Sequence, residues 1–111
     1  MVRVSETILQ RCVAKGGVMK GTRVMTFVAL WSIAEREEGR ELTIEEYLRW
    51  SREPRRTVYR RQAEFREVFP EFRTPHPLAL VVADQVAALR DRRGRVPESR
   101  LLPALSTVSV P

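Results

Sequence analysis

The sequence predicts an all-α protein, and three observations carry that expectation. Apolar residues recur at helical spacing in successive segments, a capping box opens a helix in mid-chain, and strand-like alternation is confined to "TVSV" at residues 107–110. At 111 residues the chain has the length of one domain. A chain of that size buries roughly two-thirds of its unfolded surface, which gives a core but little room for an enclosed active site.

Each element has its own justification. Residues 5–14 read as a short amphipathic helix with Ile8, Leu9, Cys12 and Val13 on one side, interrupted by Gly16 and Gly17. Residues 22–38 carry Val24, Phe27, Val28, Trp31 and Ala34 at helical spacing over three turns, and Gly39 suits the left-handed position that stops a helix. Thr43 opens the next helix through "TIEE": its hydroxyl can accept the Glu46 amide while the Glu46 side chain reaches back. Ile44, Tyr47 and Leu48 follow on its apolar side. That helix fails near residues 51–53 and another begins at Pro54, since proline is tolerated in a first turn. Val58, Phe65, Val68 and Phe69 form the buried side of this third helix, which Pro70 terminates. "PEFRTPHP", residues 70–77, is a stiff connector. Leu78, Val81, Val82, Val86 and Leu89 then make a stripe running towards Arg93 and closed by Gly94. The tail holds one short helix over residues 99–105 before fraying.

Composition excludes several classes of function. Cys12 is alone, so there is no disulfide framework and no paired-cysteine metal site. His76, the one histidine, stands between two prolines and reads as a surface residue of the connector. No serine or threonine has a histidine beside it in sequence for nucleophilic catalysis, and "GGVMKGT" has the wrong order for a phosphate loop. Lys20 and Arg23 are left as phosphate contacts at the start of the following helix. The chain is therefore expected not to be an enzyme and to need no cofactor or metal. No segment approaches the length of a membrane span and no signal peptide opens the chain, so a cytoplasmic protein without a membrane partner is expected.

The charge points elsewhere. The net charge is +6, which favours a polyanionic partner. Of the 20 basic residues only Lys15 and Lys20 are lysines. That bias suits bidentate contacts to phosphate or guanine and follows equally from a GC-rich coding sequence. "REPRRTVYRR", Arg52 to Arg61, concentrates five arginines around a Thr-Val-Tyr wedge with Glu53 as its one acid.

Two short helices, the first capped and joined by a brief turn, suit a helix-turn-helix. "LTIEEYLRWSREPRRTVYRRQ", residues 42–62, also resembles the helix-turn-helix of bacterial transcription regulators. In that family the pattern runs roughly Thr-Ile-Glu-Glu-Leu-Ala, a turn, then Ser-Arg-x-Thr-Val-Tyr-Arg-Arg, and the separation of Thr43 from Thr57 matches without a gap. The likeness covers residues 42–69, with 24–38 as a supporting first helix. Three positions depart from it: Arg52 replaces the turn glycine, Glu53 the apolar residue after it, and Gln62 the core leucine four after Val58.

The resemblance implies sequence-specific binding of double-stranded DNA by a small transcription regulator, with a recognition helix over 54–69 in the major groove. Arg55, Arg56, Thr57, Tyr59 and Arg60 occupy its first two turns, away from Val58, and would face base edges and phosphates. Arg49, Arg52 and Arg61 flank that surface and suit phosphate contacts. The predicted architecture is thus a three-helix unit over 22–69 with a helical extension at each end, the C-terminal one over 78–105, and no convincing wing. The stripe over 78–89 either closes the core or pairs with its copy in a homodimer, a role residues 5–13 could also take. The competing reading is a basic, all-helical protein-interaction module that binds an acidic protein.

Overall fold

A computed structural model describes residues 6–111, and it is all-helical apart from one isolated bridge. Five helices follow one another: α1 (Ile8–Glu38), α2 (Ile44–Ser51), α3 (Arg55–Val68), α4 (His76–Leu89) and α5 (Glu98–Leu105). The predicted start at Ser5 lies outside the described residues. The helix begins at Ile8, with Thr7 and Gln10 forming a reciprocal capping box.

The glycine interruption is real and takes the form of a sharp corner. Gly17 adopts φ 74° and ψ −177°, breaking α1 into two arms, 8–16 and 18–38. In a straight helix Cys12 and Gly21 would lie roughly 13 Å apart along the axis. Here a Cβ on Gly21 would meet the Cys12 Cβ at 3.3 Å, so the arms fold back on each other, and any side chain at 21 would make its neighbours give by a few tenths of an ångström. The buried Cys12 thiol is pushed up to about 12 by desolvation, which leaves it a packing residue.

Helix α1 is the hub, and every other helix packs against it. Trp31 stacks on Tyr47 of α2 at 4.7 Å, Phe27 meets Tyr47 edge-on at 5.4 Å, and Phe27 reaches Phe65 of α3 at 6.4 Å. At its C-terminal end Gly39 takes the left-handed conformation and donates to the Glu35 carbonyl at 2.8 Å.

Glu35 corrects the reading of His76. Its buried carboxylate accepts from the Trp31 indole at 3.0 Å and from the Leu42 amide at 3.0 Å, and lies 2.7 Å from the His76 Nδ1. His76 is not an exposed linker residue. It is the half-buried first residue of α4, drawn in because a buried carboxylate needs partners.

Helix α4 therefore begins two residues before the predicted stripe, and it also ends earlier, at Leu89 rather than Arg93. The Asp91 carboxylate accepts from the Arg93 and Arg95 amides, both at 2.8 Å, an alternative to helix that stops it. Gly94, at φ 79°, closes that turn and not the helix. The stripe closes the core: Leu78, Val82 and Val86 are buried within the chain, leaving Leu80 and Val81 outside. Leu101 and Leu105 of α5 join the same core.

The expectation of a fraying tail is overturned. The Ile8 amide donates to the Val108 carbonyl at 2.9 Å and the Val110 amide to the Glu6 carbonyl at 2.8 Å, around a Thr7–Ser109 antiparallel bridge. The short alternating run supplies the β pairing it suggested, with Val108 turned into the core. No helix among the described residues is long and apolar enough to cross a membrane.

Replacing Glu35 by Ala strands the Trp31 indole and the Leu42 amide, and is expected to cost about 3 kcal/mol, read from the denaturant midpoint at unchanged slope. A midpoint like that of the parent would show that the node is dispensable.

Candidate nucleic-acid interface

The candidate surface is built on α2, a three-residue turn and α3. Helix α2 starts with both bonds of its capping box in place, Glu46 amide to Thr43 hydroxyl at 3.2 Å and Thr43 amide to Glu46 carboxylate at 3.0 Å. It stops at Arg52, which takes φ 58° and ψ 15° and donates to the Leu48 carbonyl at 3.3 Å. Arg52 is the one non-glycine residue with positive φ among the described residues. An arginine there carries strain on the order of 1–2 kcal/mol that a glycine would not. The Ser51 hydroxyl helps hold the turn, donating to the Leu48 carbonyl at 3.1 Å and accepting the Glu53 amide at 3.3 Å.

Helix α3 seats Val58, Phe65 and Val68 fully in the core. With 100° between successive residues, the face opposite these carries Arg56, Arg60, Ala63 and, at its far end, Glu67, all exposed, with Tyr59 beside them. Thr57 and Arg61 sit half-buried on the flank.

Ion pairs sort the basic residues. On one flank the Glu64 carboxylate receives Arg23 at 2.8 Å and Arg61 at 2.9 Å. Burial pushes that carboxyl up, but the two guanidinium groups outweigh it and hold it below its ordinary value. Lys20 pairs with Glu67 on the same side. Lys20 and Arg23, expected as phosphate contacts, thus tie the second arm of α1 to α3.

On the other flank Glu45 of α2 grips Arg55 with both oxygens, at 2.9 and 3.2 Å, and accepts the Tyr59 hydroxyl. The Arg55 guanidinium also lies over the Tyr59 ring, 5.7 Å from its centroid. The bond from Arg55, then that from Tyr59, holds the Glu45 carboxyl below its ordinary value of 4.5. The same bond to Glu45 raises the Tyr59 phenol.

Of the eight residues expected at the site, the structure gathers Arg55, Arg56, Tyr59 and Arg60 on one exposed surface and sets Thr57 and Arg61 at its edge. Arg49 and Arg52 project from the end of α2 and from the turn. Arg49, Arg52, Arg56 and Arg60 have no ion-pair partner among the described residues. Sequence reading missed Glu45, which stood there only as the residue before Glu46 in the TIEE capping box. Its pairing spans the turn, and nothing local announces it.

No group of three or more His, Cys, Asp or Glu among the described residues could hold a metal ion. No protein-family model, curated protein or solved structure matches the chain.

Because the folded Glu45 value lies below the unfolded one, its contact with Arg55 and Tyr59 is fully present above the ordinary carboxyl value and is lost as the pH falls through the lowered one. In a Glu45→Ala variant the Tyr59 phenol is expected to titrate at lower pH than in the parent, seen as earlier tyrosinate absorbance. An unmoved titration would mean that the contact does not persist in solution.

Proposed function

We propose that α2, the turn at residues 52–54 and α3 form a helix-turn-helix, and that the protein binds double-stranded DNA sequence-specifically as a small transcription regulator. The observation that carries this reading is the sorting of arginines. Arg56 and Arg60 lie one turn apart on the outermost face of α3, exposed and without an ion-pair partner among the described residues, while Arg23, Arg55 and Arg61 are neutralised on its flanks. A cationic pair left bare on a helix so firmly seated suits a partner that brings its own acceptors. The O6 and N7 of guanine accept an arginine bidentately.

The turn supports the same reading. Arg52 takes the left-handed conformation at the position where the resembled family has glycine, so the backbone path survives the substitution. Arg49 and Arg52 then reach phosphates on either side of the groove. Arg55 and Tyr59, held together by Glu45, present a fixed edge to the groove, with Thr57 and Arg61 contributing at the margin. Of the two segments expected to pair a homodimer that reads a palindrome, the core leaves uncovered Leu80 and Val81 on α4 and Val13 on the first arm of α1.

Selection from a random duplex library at near-physiological salt, with the oligomeric state recorded, tests the proposal. The parent is expected to enrich a defined site. The double variant Arg56→Ala/Arg60→Ala is expected to keep its helical signal and to lose roughly 2–6 kcal/mol of discrimination between that site and random duplex. An unchanged site preference would overturn the recognition-helix assignment. Absence of any enriched site, with binding to acidic proteins in its place, would favour the protein-interaction module.

A further inference from the structure

Beside the exposed face of α3 runs a solvent-open groove of about 640 Å³, between the start of α2 and the segment that leads into α4. Thr43, Tyr59, Gln62, Arg66 and Arg73 line it. Arg66 and Arg73 are both exposed and neither has an ion-pair partner among the described residues. The one acid on its wall, Glu41, has the His76 Nε2 3.7 Å away.

Gln62 explains how the two arginines come together. It stands where the resembled family has a core leucine, and its side-chain amide donates to the Arg73 carbonyl at 2.6 Å. That bond ties the segment after α3 to the helix and keeps Arg73 on the groove that Arg66 also lines. The Gln62 Oε1 is buried without a partner among the described residues, so the residue is held there at a cost. A leucine would fill the space more cheaply but would leave Arg73 untethered.

We infer that this groove holds the sugar–phosphate backbone of the DNA next to the major groove, with Arg66 and Arg73 as its two cationic contacts. The inference rests on the DNA-binding reading above. Arg66 lies ten residues beyond Arg56, roughly 15 Å further along α3. At 100° per residue Arg66 is also turned about 80° round the helix from Arg56, so with Arg56 at base edges Arg66 points sideways, towards the groove wall where the phosphates are. These contacts position the protein and carry no sequence information.

The test is the salt dependence of binding to a selected duplex and to an unrelated one, for the full chain and two variants whose helical content is checked first. Arg66→Ala/Arg73→Ala is expected to weaken both duplexes by the same factor and to lower the slope of log affinity against log salt by about 1.8, two phosphate contacts. Gln62→Leu is expected to lower it by about half as much, since only Arg73 is released. An unchanged slope in the double variant, with the parent binding normally, would overturn this inference and leave the recognition helix standing. Weakening confined to the selected duplex would also overturn it, because the arginines would then be reading bases. A parent that binds neither duplex but takes up a polyglutamate peptide would overturn both readings.

Discussion

One buried carboxylate organises the chain. Glu35 lies on the last turn of α1 and is bonded to the Trp31 indole, the Leu42 amide and the His76 imidazole. The first contact is within α1, the second fixes the chain as it approaches α2, and the third fixes the start of α4. A helix as short as α2 is marginal by itself, because its nucleation cost is spread over too few bonds. Its orientation comes instead from Tyr47 stacked on Trp31 and from the Leu42 amide on Glu35. The angle at which α3 is offered to a partner is set by its own packing on α1, with Phe65 against Phe27, while the strained turn at Arg52 joins it to α2.

The same logic explains why the charges are arranged as they are. A protein with net charge +6 would repel itself if all its arginines stood together. Acids drawn from α2 and from α3 itself, Glu45, Glu64 and Glu67, neutralise the flanks of α3 and double as braces to neighbouring elements. Surface pairs of this kind contribute little to stability one at a time. Their effect is on geometry, and it leaves Arg56 and Arg60 without an ion-pair partner among the described residues on the exposed face.

Much of the fold was legible because its signals are local. The Thr43 capping box, the stop at Gly39 and the glycine interruption each depend on a few adjacent residues, and each appears where expected. The errors lie where a distant group competes with a local preference. His76 looked like a linker residue because its partner Glu35 is far away in sequence, and α4 stopped early because Asp91 offered its backbone a better arrangement than helix. Within the candidate site the exposed positions of α3 followed from helical periodicity. The roles of Glu45 and Gln62 could not, since both act across the turns that join α3 to its neighbours.

The bridge between Thr7 and Ser109 has a consequence in time. During synthesis the first arm of α1 is made well before the segment around residue 109 that pairs with it. At ordinary elongation rates roughly 5–20 s separate the two. Over that interval the second arm of α1 can already gather α2, α3 and α4, while Ile8 waits with an unanswered amide and an uncovered apolar side chain. Closure of that circuit is slow to find, because its contacts are the most distant in sequence among the described residues. A nascent chain stalled before residue 108 would hold most of the hub and the whole of α3, yet carry an open seam at its beginning.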